Sequence, residues 1–495
     1  MLRDQRGQAL VLVLILTTVI FMIGSAAVAM GTAARKNATL ETWQKKAYYI
    51  AEAGIEMALA DLRRRLIYPA PNFEEFRIDD KNKDYAGGRI DEVTVTKETS
   101  GNDIFYTITS SAYYPASGGT RARKTIRVKV KVVPDPFLSY GGPGLKSDTN
   151  VQVRAAIADY EGSIVARSGN LTLESSIQDW RGGLYAGGDV TLSGLVAGGE
   201  GEIKAGRNVT ITGFTSTWSG EIWAGQDVII QSWWPAGEVT VHENCGAEIP
   251  GFPIPEFPVV DKNSLWYARV KNEAVSKGQY FENATQFLDD DPEFGSGKGI
   301  HWRYSESIVV FLDYVFVTVN VYGAELPLNG LYVVGGALTL DPDAYTAAYN
   351  RWRQRMITRY QQRYPGKSVR VTFFNTSLSL AVKADQPTTL VADSVKLDEG
   401  FMGLFGVDTS GIKNSFGLFA VAGNVTYDAA MGTGGRLAVM TAGTFDCNVG
   451  IGAELKFDWV AAKQDIEIDA IINLNAAQAS VPPGTPVGYR IVAWE

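Results

Sequence analysis

From Ala9 to Gly31 the chain carries no charged residue, between Arg6 on one side and Arg35 on the other. A run of this length predicts a helix able to cross a hydrocarbon core of roughly 30 Å. Leu, Val and Ile fill its first half; Gly24, Ser25, Ala26, Ala27, Ala29 and Gly31 mark the second. Small residues of that kind let neighbouring helices approach closely. Beyond Gly31 the composition changes but the helix does not stop. Residues Asn37 to Leu66 contain no proline and one glycine, Gly54. Ala47, Ile50, Ala51, Gly54, Ile55, Ala58, Leu59 and Leu62 recur at three- and four-residue intervals, the mark of one amphipathic stripe. Arg63, Arg64 and Arg65 close it with cations where the helix dipole is negative. One helix over 8–66 is predicted, with its membrane part at 9–31. A cleaved secretory signal, with Ala27-Val28-Ala29 as its cutting site, and a plain anchor are the competing readings. A cleaved signal gives the helix no reason to continue.

The period then switches to two. Glu92–Lys97, Phe105–Ser110 and Thr125–Val133 alternate apolar and polar residues, which predicts a small antiparallel β module over 87–134. Pro134-Asp135-Pro136 and Gly141-Gly142-Pro143-Gly144 end it.

A longer period follows. Leu171, Val190, Val209 and Val228 are 19 residues apart, as are Leu173, Leu192, Ile211 and Ile230, and also Val165, Leu184, Ile203 and Ile222. Short β runs with glycine turns at a fixed period near twenty predict a β-solenoid, in which each rung buries its apolar side chains only by stacking on its neighbours. The pattern returns later with looser spacing, through Leu338, Val395, Val425, Phe445 and Ile466. The chain is therefore read as mainly β: a long N-terminal transmembrane α-helix, a small antiparallel β module, then a large β-solenoid (β-helix) over 145–232 and 330–490. Insertions occupy 233–329 and, as a helix, 342–364. One interrupted solenoid is expected, two stacked blocks being the alternative.

At the solenoid corner, Asn170, Asp189, Asn208 and Asp227 alternate amide and carboxylate up the stack. Carboxylates alone would repel, whereas amides form favourable ladders, so these read as turn-forming Asx residues and not as a calcium site. Arg351, Arg355 and Arg359, spaced by four, share a helix face; a solvated face and a site for an acidic surface glycan both fit. Asp289-Asp290-Asp291-Pro292-Glu293 is the densest acidic cluster, but Phe294 stands where a calcium-binding EF-hand loop needs glycine. Cys245 and Cys447 lack metal-ligand spacing; one disulfide or two thiols would fit. With His242 and His301 the only histidines, a histidine-based triad has little raw material, and no Walker A or zinc motif occurs. No cofactor is implied. A net charge of -8 argues mildly against a nucleic-acid partner.

Arg6-Gly7-Gln8-Ala9-Leu10 before the apolar run resembles a class III prepilin signal, which implies a leader over 1–7 and prepilin peptidase cleavage between Gly7 and Gln8. Ala51-Glu52-Ala53-Gly54-Ile55-Glu56 is similar to the helix-assembly stretch in the amino-terminal domain of PilX-type minor pilins and pseudopilins. The resemblance covers residues 1 to about 66. Major pilins usually carry Glu at the fifth mature position; counted from Gln8 that position is Leu12, so a minor or tip subunit is implied. The expected protein is an exported structural subunit of a type IV pilus-like or type II secretion-like system. It starts as a single-pass membrane protein, packs against other pilins through its helix, and displays the solenoid at the cell surface for assembly or adhesion. A membrane-tethered carbohydrate-active β-helix enzyme is the alternative; it would need carboxylates clustered on one solenoid face. A bactofilin-like polymerising scaffold is the third reading.

Overall fold

A computed structural model of the chain describes residues 5–67, 75–78, 84–100, 103–117, 121–134, 144–154, 156–174, 176–213, 215–231, 239–252, 254, 261–375, 379–399, 407–429, 434–450, 454–475, 482–483, 485 and 487–494. It divides into two compact units, Met1–Val132 with Tyr489–Glu495, and Val133–Gly488.

In the first unit, α1 runs without a break from Gln5 to Ile67. The sheet beside it holds β1 (Glu75–Ile78), β2 (Asp84–Tyr85), β3 (Gly88–Ser100), β4 (Asp103–Tyr114) and β5 (Ala122–Pro134). A sixth strand, Val487–Trp494, pairs with β5. The solenoid segment is thus inserted in the chain between two neighbouring strands of this sheet, an arrangement that assigning 330–490 to the solenoid had missed. β3, β4 and β5 form an antiparallel meander. Their inward residues, among them Val93, Val95, Ile108, Ala112, Ile126 and Val128, are buried, as alternation requires when one sheet face is covered.

The second unit is a parallel β-solenoid. Its rungs carry a long strand and a short one, and the short strands Val151–Val153, Leu171–Leu173, Val190–Leu192 and Val209–Ile211 each bury their first and third residues. The corners bring backbones close: a Cβ on Gly206 would stand 2.2 Å from Gly187 O. Registers link Leu171 to Val190, Val190 to Val209 and Val209 to Val228, and Leu338 through Val395, Val425 and Phe445 to Ile466. One assignment shifts. Leu184 stands beside Ile164, and Val165 beside Tyr185. The corner Arg167–Asn170 has four residues where Gly187–Asp189 has three, and a slip of one residue turns a side chain to the opposite face.

Stacking order is not chain order. The long-strand sheet runs from Val239–His242 back through 215–224, 196–205 and 177–186 to 157–166, then to strands near the end of the segment, and only then through 436–441, 415–420 and 388–392 to 330–334. The rung in the middle is composite. Gly144–Ser147 and Ile471–Asn475 lie in the same layer between Ile157–Ala166 and Glu454–Ala462, each pairing with both. The short strands meet there too, Ile466 beside Val151 and Ile468 beside Val153. Residues some 315 positions apart in sequence therefore complete one turn.

Inside the stack, Trp180, Gly199 and Trp218 occupy equivalent positions on successive rungs. The missing side chain at Gly199 lets the two indoles stack at 5.4 Å and 4°. Outside it, α2 (Leu265–Ser276) is N-capped by Ser264 and sets Trp266, Val270 and Ala274 among Val391, Phe419, Met440 and Trp459. After α3 (Ala284–Leu288), a five-stranded sheet is built from 301–311, 314–327, 368–375, 380–384 and 407–412. α4 (Pro342–Arg363), capped by Asp341 with Pro342 in its first turn, buries Tyr345, Ala348, Trp352, Met356 and Tyr360.

Candidate functional site

α1 has two halves with opposite surroundings. Leu10 to Met30 are exposed throughout, and the stretch is long and apolar enough to cross a membrane. Its polar side chains are satisfied locally: Thr17 and Thr18 donate to Val13 and Leu14 carbonyls, Ser25 to Met22 and Thr32 to Ala29. No hydroxyl in that set is left to face lipid unpaired. Leu12 is 68% exposed. Gly7 and Gln8 lie in the first turns of the helix.

From Ala47 to Leu62 the predicted stripe is buried against β3 and β4. Ala51 and Gly54 belong to this stripe, Glu52 and Ala53 are half-buried, and Glu56 is exposed. A Cβ on Gly54 would stand 2.3 Å from Ser110 Oγ and 3.1 Å from Val93 Cγ2. The small residues of the assembly-like stretch thus let α1 seat on its own sheet.

The corner residues form a continuous ladder of hydrogen bonds. Asn170 Oδ1 accepts the amide of Asp189, Asp189 Oδ1 that of Asn208, and Asn208 Oδ1 that of Asp227, at 3.0–3.2 Å. Asn208 Nδ2 also donates to Asp189, and Arg207 donates to both Asn170 and Asp189. The ladder crosses the seam: Asn170 N donates to Asn150, whose own amide and side chain donate to Asp465. Burial raises the Asp465 pKa, but hydrogen bonds from Thr149 and Asn150 outweigh it and hold the carboxyl below its usual range.

The acidic and basic clusters meet each other. Arg351 Nε lies 2.8 Å from Asp289, Arg355 Nη2 2.9 Å from Asp291, Arg359 pairs with Glu293, and Arg363 lies 3.9 Å from Glu306. Arginines four apart on a helix thus match carboxylates on a loop and a neighbouring strand. Asp291, 1% exposed, also accepts the amides of Glu293 and Phe294. The arginine face is thus paired with the chain's own carboxylates while Arg359 and Arg363 stay exposed to solvent.

Cys245 is half-buried and Cys447 buried, and both are free thiols, so the disulfide does not form. Burial pushes the Cys447 thiol well up. His242 stacks on Trp223 at 3.7 Å and His301 Nε2 lies 2.9 Å from Gly297 O. Among the described residues, no cluster of three or more His, Cys, Asp or Glu is placed to hold a metal.

One surface escaped sequence reasoning. Gln152, Arg154, Asp428, Asp446, Asn448, Glu467 and Asp469 line a groove of about 350 Å³ over the short-strand sheet, across the seam. Burial raises the Asp428 pKa, and Asp398 and Asp446 add to it against the pull of Lys396. The signal was present in the outward positions of Thr426–Asp428, Asp446–Asn448 and Glu467–Asp469 once their rungs are aligned.

Residues 6–56 match a family model described as PilX N-terminal. No curated protein matches the chain. The crystal structure of the competence-associated pilin ComZ from Thermus thermophilus aligns over 92% of this chain and 97% of its own, at 13% identity and a TM-score of 0.19, an overlap too low to define a common arrangement. The match to the PilX N-terminal model thus covers the exposed apolar half of α1 and the start of its packed half.

Proposed function

We propose that this chain is a minor pilin or pseudopilin of a type IV pilus-like or type II secretion-like system, made as a single-pass membrane protein and then carrying its solenoid to the cell surface. The division of α1 carries this reading. The stripe from Ala47 to Leu62 is consumed by the chain's own sheet, while Leu10 to Met30 has no cover among the described residues. Lipid before assembly and the helices of other pilins afterwards are the surroundings such a surface needs. Leu12 in place of the usual fifth-position glutamate favours a minor role, and cleavage between Gly7 and Gln8 would release the helix for assembly. The solenoid, as the bulk of the chain, is what the helix would present, for assembly or adhesion. Intact-mass analysis of the mature protein tests this: the account expects a start at Gln8 and accumulation of uncut chain when Gly7 is replaced. A start after Ala29 refutes it.

The groove supports a second reading, a tethered carbohydrate-active β-helix. Carboxylates gathered on one solenoid face, with the Asp428 carboxyl raised by burial, are the kind of group that acid–base cleavage of glycosidic bonds uses. Reducing-sugar release from acidic and neutral polysaccharides decides it; activity lost in Asp428→Asn would favour this reading, and inactivity of the native chain would dismiss it.

A further inference from the structure

The strand His301–Phe311 is an edge of the five-stranded sheet. It pairs with Tyr314–Pro327 on one side and, among the described residues, with no strand on the other. Unpaired edges present a row of backbone donors and acceptors, and proteins ordinarily blunt them with Lys, Pro, a bulge or an inward charge. Here the bulge falls at Arg303/Tyr304, at the strand's base. The free run Ser305-Glu306-Ser307-Ile308-Val309-Val310-Phe311 contains neither Lys nor Pro. Its single charge, Glu306, accepts from the Tyr360 hydroxyl and lies 3.9 Å from Arg363.

This edge is also apolar on both faces. Val309 is 57% exposed, Val310 49% and Phe311 65%; around the turn, Leu312 is 74% and Tyr314 55% exposed, and Phe316 45%. These side chains leave about 600 Å² of apolar surface open, the size of the largest patch an ordinary monomer shows.

We propose that this edge pairs with the same edge of a second copy of the chain, antiparallel about a two-fold axis near Ser307 and Ile308. With the axis at Ile308, Glu306 stands opposite Val310 and Ser307 opposite Val309; with it between Ser307 and Ile308, Glu306 stands opposite Val309. The one carboxylate faces a valine in either register, so no like charges meet. The patch approaches the roughly 800 Å² per partner of a standard interface, with strand hydrogen bonds added, and an isologous contact closes on itself instead of propagating. Lipid suits the edge less well, because exposed Asp313 sits in the turn and Ser305 and Ser307 continue the strand. The pairing does not depend on the role of α1.

The test uses the full chain in detergent, with Cys245→Ser and a spin label on Ser307→Cys. A dimer by sedimentation and a label–label distance below about 20 Å are expected. Both should vanish when Val309 and Phe311, exposed in the monomer, are changed to Lys with the melting temperature unchanged. A monomer without the substitutions overturns the proposal, and so does a dimer with no short distance at residue 307, which would assign association to α1. A monomer in zwitterionic nanodiscs whose label at residue 307 is shielded from a water-soluble relaxation agent would overturn the proposal and assign the patch to lipid instead. The distance measurement stands even if the lysine variant unfolds.

Discussion

At Gly54 the helix meets its sheet with no side chain between them, and a methyl group there would reach 2.3 Å from Ser110 Oγ, 3.3 Å from Ser110 Cβ and 3.1 Å from Val93 Cγ2. Two effects oppose each other in Gly54→Ala. Alanine inside a helix is worth about 1 kcal/mol over glycine, while overfilling a packed site costs about 1–3 kcal/mol. The expected net is a loss of up to about 2 kcal/mol. Ser110 is wholly buried and its hydroxyl has no partner among the described residues, so Ser110→Ala alone should gain about 1 kcal/mol. Combining the two removes the obstructing oxygen and lets the helix keep its propensity gain. The double variant should therefore exceed the sum of the single effects by about 1–2 kcal/mol, the coupling expected of residues in contact. Hydrogen exchange of amides 47–62 and 103–114 in the full chain reads this locally, without requiring two-state unfolding. Gly54→Ala that raises protection, with no coupling to Ser110, would refute the seating of α1 described above.

The composite rung should be sensitive to Asp148, which is 7% exposed and bonds Arg167 at 2.8 Å and Lys463 at 2.7 Å. Asp148→Ala removes the carboxylate that two cations share and should cost about 3–5 kcal/mol, read as faster exchange of amides 144–153 and 463–475 together. Burial pulls the Lys146 ammonium from 10.5 to about 7. The unfolded chain then holds more protons between pH 7 and 10.5, so stability rises with pH across that window. Lys146→Met should stabilise by up to about 5 kcal/mol at pH 7 and below, with the gain fading toward pH 10.5 in parallel thermal melts. Asp291→Ala should lower the denaturation midpoint by the equivalent of about 3 kcal/mol, by taking the acceptor from Arg355 Nη2 and from two loop amides, whereas Arg359→Gln at the exposed end should cost under about 1 kcal/mol.

Much of this architecture follows from periodicity. Residues 47–62 announce which helix face is buried, and the column from Leu338 to Ile466 is recovered in register despite gaps of 57, 30, 20 and 21 residues. Periodicity says that a rung needs neighbours but not which rungs they are. The composite layer of Gly144–Ser147 and Ile471–Asn475 depends on where residues 245–330 carry the chain, and no local pattern encodes that. Charge clusters were opaque for a related reason. Arg351–Arg359 and Asp289–Glu293 each look solvated when read alone, since their match is made only by the approach of α4 to the loop. The groove lies in between: its carboxylates occupy outward positions of alternating strands, visible only after the seam brings Arg154 and Gln152 beside Glu467 and Asp469. The edge at Ser305–Phe311 reads locally as any β-branched strand, and its exposure is a property of the sheet order.

Filament membership is the central claim, and quantitative mass spectrometry of filaments sheared from the cell surface tests it most directly. The account predicts this chain in that fraction, beginning at Gln8, in a small proportion relative to the main subunit, and absent when Gly7 is replaced. A chain that stays in the membrane fraction with its first seven residues attached, or is released after Ala29, would contradict it.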